Sequence, residues 1–148
     1  MLFQSGLGIF LHDDGLSIVY LKNTFKKTQV AGHAAYALDS EKALKERVGL
    51  SAELINDFIE SKNVSSSDVF IGLPRESVIL RELEFPLAVK ENLKSTLRYK
   101  IENYVPMKLR DIYFDYQIIV EDKADKKLKV LLVVVQKDTL DQYLNLKD

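Results

Sequence analysis

The chain has 148 residues, 47% hydrophobic and 29% charged, a balance that supports a packed core in one domain or two small ones and excludes a disordered chain. Its 21 basic and 22 acidic side chains leave a formal net charge of −1, so no long-range positive field gathers phosphate, and nucleic acid is not expected as a partner. Cysteine is absent, which removes disulfides, thiolate metal sites and thiol nucleophiles and suits a reducing compartment. The longest apolar run, 130–135, falls far short of the roughly 20 residues that cross a bilayer. Residues 1–11 carry neither a basic leader nor a small-residue cleavage site, so neither export nor direct membrane insertion is expected.

In chain order, the apolar runs 7–11 and 16–21 flank His12-Asp13-Asp14-Gly15. Asp-Gly between two β-prone runs predicts a hairpin, with Gly15 supplying a positive φ. A third strand is expected over 26–38, with Val30, Ala34, Tyr36 and Leu38 on one face. Asp39 or Ser40 is placed to cap a helix. In that helix Leu44, Val48, Ile55, Phe58 and Ile59 form one apolar stripe to about Lys62, with Gly49 as a point of kinking or splitting. Residues 65–67 are three serines in a loop, and 68–73 is a continuous apolar stretch, the pattern of a buried parallel strand reached by a helical crossover. Up to this point the order is β-β-β-α-β.

Pro74 breaks the strand, and 77–85 predicts another, closed by Pro86. Residues 87–104 predict the clearest helix, with Leu93, Leu97, Ile101 and Tyr104 on one side, ended by Pro106. Residues 112–120 alternate, with Ile112, Phe114, Tyr116 and Ile118 on one face. A charged hairpin loop at 121–127 then leads to the most apolar strand, 128–136, and a last helix starts at Lys137. The second half thus reads β-α-β-β-α. Two small α/β lobes that pack on each other are expected, 1–74 and 75–148, the second ending inside its last helix. That ending suggests a piece of a longer protein.

Chemistry-bearing motifs are sparse. Gly6-Leu7-Gly8 has no third glycine opening a helix, and no Gly-Lys-Ser/Thr occurs, so neither a dinucleotide nor a P-loop site is expected. His12 with Asp13 and Asp14 reads as solvated turn residues rather than a metal cluster, and His33 as an outward strand position. No nucleophile elbow surrounds Ser77. Glu82 and Glu84 share a strand face and read as an exposed edge rather than an acid/base pair. Tyr99, Tyr104, Tyr113, Phe114 and Tyr116 crowd one region, either as core and rim packing or as a peptide-binding groove with Arg75, Arg81 and Arg98 as its polar rim. No catalytic residue, cofactor or metal is expected.

The run from Val69 carries a family resemblance. It reads Val-Phe-Ile-Gly-Leu-Pro-Arg-Glu-Ser-Val-Ile-Leu-Arg-Glu-Leu-Glu-Phe-Pro, then Arg98-Tyr99-Lys100-Ile101-Glu102-Asn103-Tyr104-Val105-Pro106, then Tyr113-Phe114-Asp115-Tyr116-Gln117. This resembles the pilus assembly protein PilM and the cytoplasmic part of the secretion protein GspL. The resemblance implies the front half of an actin-like fold. Residues 1–74 would be its ribonuclease-H-like core subdomain, and 75–148 the β-α-β-β insertion shared with the division protein FtsA. It also implies a non-catalytic scaffold of a type IV pilus or type II secretion platform, cytoplasmic and peripheral to the inner membrane. That scaffold would bind an inner-membrane platform protein, with the assembly ATPase and a homodimer as further partners. On that reading Arg75, Arg81, Tyr99, Tyr104 and Pro106 are the partner-binding residues, in a groove between the lobes. The alternatives are an actin-like nucleotide-binding ATPase and a ribonuclease-H-like nuclease. Against both, Phe10 stands where the family's first-strand Asp would fall, and against the ATPase two carboxylates also occupy the turn where phosphate would sit.

Overall fold

The computed structural model describes residues 5–65 and 68–147. The expected serine loop lies, beyond Ser65, outside the described residues. Contacts divide the chain into two units, 1–74 with 141–148, and 75–140. The last helix therefore does not belong wholly to the second half. Its end contributes Tyr143 and, just beyond it, Leu146 to the core of the first unit, because these are the apolar side chains that the first unit buries there.

The first unit is a four-stranded sheet of order β3-β2-β1-β4, formed by β1 (Ser5–His12), β2 (Gly15–Asn23), β3 (Thr28–Ala37) and β4 (Asp68–Gly72). Strands β1, β2 and β3 are antiparallel neighbours, and β4 runs parallel to β1 after the crossover helix α1 (Leu44–Lys62). In register, Leu7 faces Tyr20, Ile9 faces Ile18 and Leu11 faces Leu16. All six side chains therefore share one side of the sheet, where they are buried with Val48, Ile55 and Phe58 of α1. Burying each such side chain is worth roughly 1.5–3 kcal/mol.

Four sequence expectations change in this unit. Gly15 does not take a positive φ, since Asn63 and Lys126 are the only described residues that do. Its small size is what the hairpin needs, because a Cβ there would lie 2.7 Å from the Tyr36 carbonyl oxygen and from His12 Cε1. Val30 points to solvent, 61% exposed, because an irregularity in the β2–β3 register at Tyr20/Leu21 shifts the inward phase before it. Asp39 does not cap α1. Its Oδ1 accepts the Glu41 N–H at 2.9 Å in a local turn, and Ala43 is the residue at the helix start. Finally, β4 is parallel as expected but not buried. It is the sheet edge, with Val69 41% and Phe70 66% exposed.

Helix α1 runs unbroken through Gly49 and stops at Asn63, which adopts the left-handed conformation at φ 46° while the Val64 N–H bonds the Ile59 carbonyl. Gly49 is exposed, and a Cβ at that position meets nothing within 4 Å. Gly49→Ala should therefore stabilise the protein by about 0.5–1 kcal/mol through the lost backbone freedom of glycine. A denaturant midpoint that falls in this variant would contradict the reading.

The second unit is an antiparallel sheet of order β5-β7-β6, from β5 (Ile79–Pro86), β6 (Ile112–Asp122) and β7 (Lys127–Gln136). Between β5 and β6 the chain makes a 3-10 segment (Leu87–Asn92), helix α2 (Leu93–Lys100) and a second 3-10 turn (Ile101–Asn103). The expected helix at 87–104 is thus α-helical only in its middle. Leu93, Leu97, Ile101 and Val105 pack on Leu128, Val130, Leu132 and Val134 of the central strand, all four of which are fully buried. Tyr104 is half-buried, edge-on to Phe85 with ring centroids 6.5 Å apart. After β7 the chain enters α3 (Lys137–Leu144).

The expectation for Glu82 and Glu84 holds in a specific form. Each is paired across the sheet, Glu84 with Lys127 at 2.9 Å and Glu82 with Lys129 at 3.7 Å. The hydrogen bond from Lys127, aided by its charge, holds the Glu84 carboxyl below the usual carboxylate range, the opposite of what a general acid needs. Among the described residues, no helix is long and apolar enough to cross a membrane.

Candidate functional site

The second unit carries a cleft of about 780 Å³ where the chain leaves α2 and where β7 turns into α3. Pro106 cannot continue the helical segment, and the following loop is pinned by Glu102, whose Oε1 accepts the Leu109 N–H at 3.0 Å. On the other wall Gln136 ends β7, and its Nε2 donates to Met107 Sδ at 3.5 Å. Lys137 reaches over the Tyr113 ring, its Nζ 5.3 Å from the centroid. The rim carries both signs, with Lys108, Arg110 and Lys137 against Glu102, Asp111 and Asp138. A second cleft of about 540 Å³ shares Pro106, Met107 and Gln136 and continues along Glu76–Ile79.

These volumes fall within the range of small-ligand and peptide sites. The wall is apolar at Val105, Pro106 and Met107, and its balanced charges favour no bare phosphate. Neither histidine lines either cleft. Among the described residues, no three metal-ligating side chains come together.

Of the residues expected to bind a partner, Pro106 lines both clefts. Tyr99, 89% exposed, lines a further depression of about 540 Å³ with Arg98, Glu102 and Leu109. Arg81 and Tyr104 come together, but through the backbone: Arg81 Nε donates to the Tyr104 carbonyl at 3.3 Å and its Nη1 to that of Leu80 at 3.2 Å. Arg75 donates to the Val78 carbonyl at 3.0 Å. Both arginines thus commit donors to their own chain and brace the cleft's surroundings. Met107, Gln136 and Lys137 were not anticipated from sequence. Some thirty residues separate the first from the other two, and only the β6–β7 hairpin brings them together.

The first hairpin also holds a residue that pattern reading missed. Arg47 of α1 is nearly buried, and its Nη1 donates to the carbonyls of His12 and Asp13 at 2.8 and 3.0 Å. The turn's carbonyls are therefore directed into the protein's own guanidinium. Its carboxylates stay outside, Asp14 beside His12 Nδ1 at 2.8 Å. The one available signal was position, since Arg47 sits within the apolar stripe beside Val48.

Residues 8–147 match the family of the type IV pilus assembly protein PilM. This chain belongs to the PilM family. No curated protein matches its sequence. Among solved structures, it is similar to a chain of a PilM–PilN type IV pilus biogenesis complex, with TM-score 0.78 and 14% identity over 95% of this chain and 43% of that one. It is also similar to the cytoplasmic domain of EpsL, an inner-membrane component of the type II secretion system of Vibrio cholerae. That match has TM-score 0.59 and 21% identity, over 97% of this chain and 52% of that one. The chain thus spans about half the length of these relatives. The fold is a mixed α/β architecture with two sheets, shared with the chain of the PilM–PilN complex.

Proposed function

We propose that this PilM-family chain is a non-catalytic scaffold module of type IV pilus assembly. It would take a short segment of an inner-membrane platform protein in the clefts around Pro106, Met107 and Gln136. The observation that carries the reading is the cleft itself, a site of peptide size with an apolar wall and a balanced charged rim. The likeness to a chain of a PilM–PilN complex supports the reading. In this proposal 1–74 acts as the ribonuclease-H-like core subdomain and 75–140 as the insertion that recognises the partner. The module would work on the cytoplasmic side of the inner membrane, where the assembly ATPase and a second copy of the chain are further candidate partners.

The test is fluorescence anisotropy with overlapping peptides that tile the cytoplasmic part of a PilN-type protein. One segment should bind, and Met107→Lys should weaken it about tenfold or more by placing a charge on the apolar wall. Uniform failure of all segments, or equal binding by the variant, would sink the proposal. Calorimetric titration with Mg-ATP should give no heat.

A further inference from the structure

Helix α2 buries one side and leaves the other basic. Leu93 and Leu97 are its buried residues, and Lys94, Ser95, Arg98 and Tyr99, one and two positions beyond them, are all exposed. Lys94 and Arg98 stand four residues apart, as do Ser95 and Tyr99, so the four share the outer face of the helix. The charged residues of α2 are Lys94, Arg98 and Lys100, with no acidic one among them. Among the described residues none of these three is in an ion pair, whereas Lys90, Lys127 and Lys129 of the same unit each face a carboxylate. The helix dipole favours Arg98 and Lys100 in the last turn but gives Lys94 in the first turn no stabilisation. Glu91 and Glu102 lie just outside the helix, and Glu102 is engaged by the Leu109 N–H.

On this face Ser95, Arg98 and Tyr99 line, with Leu109, the depression of about 540 Å³ already described, and Tyr99 is 89% exposed. Tyrosine and arginine are among the residues enriched where protein interfaces gain most of their affinity. The Arg98 guanidinium fork matches a carboxylate, and the Lys94 ammonium, one turn away, can take a second. The depression takes an apolar side chain against the Tyr99 ring. We propose that the outer face of α2 is a docking surface for an acidic segment of a partner protein. Arg98 and Lys94 pair with its carboxylates, and one of its apolar side chains seats beside Tyr99. A nucleic-acid strand or an anionic bilayer fits less well, because Glu91 and Glu102 flank the cations and would oppose a continuous run of phosphates. Neither Pro106 nor Met107 lines this depression, so the inference is independent of the segment proposed for the cleft.

The probe is a short fluorescein-labelled peptide of glutamates around a central pair of leucines, titrated with the full chain and read by anisotropy. It should bind at low salt, weaken as salt rises, and fail when its glutamates are replaced by glutamines. Lys94→Gln with Arg98→Gln should weaken binding about tenfold or more, and Tyr99→Ala about fivefold or more, with unchanged circular dichroism spectra. Heteronuclear NMR of the wild-type chain should place the peptide-induced shifts on the amides of 94–103. That mapping needs no variant, so it decides even where a substitution disturbs α2. The proposal is overturned by an absence of binding, by equal binding of the glutamine peptide, by variants that bind as wild type does, or by shifts confined to other parts of the chain. Binding of phosphatidylglycerol vesicles or single-stranded DNA through Lys94 and Arg98, without binding of the peptide, would overturn it too.

Discussion

Leu97→Ala should destabilise the protein by about 2–5 kcal/mol, the range for truncating a fully buried leucine. Leu97 is 0% exposed and sits at the middle of α2 against the fully buried residues of β7. The helix is only eight residues long, flanked by 3-10 turns. Isolated helices of that length are not stable in water, so packing supplies what holds it. A native domain has only about 5–15 kcal/mol in total, so this one substitution removes a large share. Since Glu102, Val105 and Pro106 follow directly from α2, segment binding in the cleft should fall with it. Urea unfolding followed by circular dichroism gives the measurement, with Leu97→Met as the volume-conserving control, expected to cost less than about 1.5 kcal/mol. A loss below about 1 kcal/mol for the alanine variant would show that α2 does not organise the unit.

Arg47→Ala is expected to cost about 2–3 kcal/mol. Its two bonds to the His12 and Asp13 carbonyls are charge-assisted and partly shielded from water. The Asp13 carboxylate, 3.9 Å away and mostly exposed, adds little. Part of the cost comes from the aliphatic stem, so Arg47→Met should lose only about 1–2 kcal/mol, isolating the hydrogen bonds. In both variants hydrogen exchange at the amides of 13–15 should quicken more than elsewhere in the first sheet. Uniform exchange would place Arg47 outside the turn's support.

Much of the second unit was legible in the sequence because its signals are local. Alternation along Ile112–Ile118 and the spacing of Leu93, Leu97 and Ile101 each name a buried face without any knowledge of neighbours. What escaped depends on partners distant in sequence. Whether an apolar strand is central or at an edge is decided by what lies beside it, so Val69 and Phe70 read as core but stand exposed. The bulge that turns Val30 outward arises from the match between two strands, not from either alone. The reason for Gly15 is Tyr36, twenty-one residues on. The site was legible in part for the same reason: Pro106 announces itself as a helix stop, whereas Met107 and Gln136 are ordinary residues until the sheet joins them.

The return of Tyr143 and Leu146 to the first unit has a consequence for synthesis. Translation releases the strands and crossover helix of the first unit early, yet two of the side chains that fill its core, Tyr143 and Leu146, follow only after the whole of 75–140. The 75–140 segment is continuous and can complete its own core while the earlier one still lacks Tyr143 and Leu146. Leaving the ribosome, the 75–140 unit should therefore complete its core before the first-made unit completes its own.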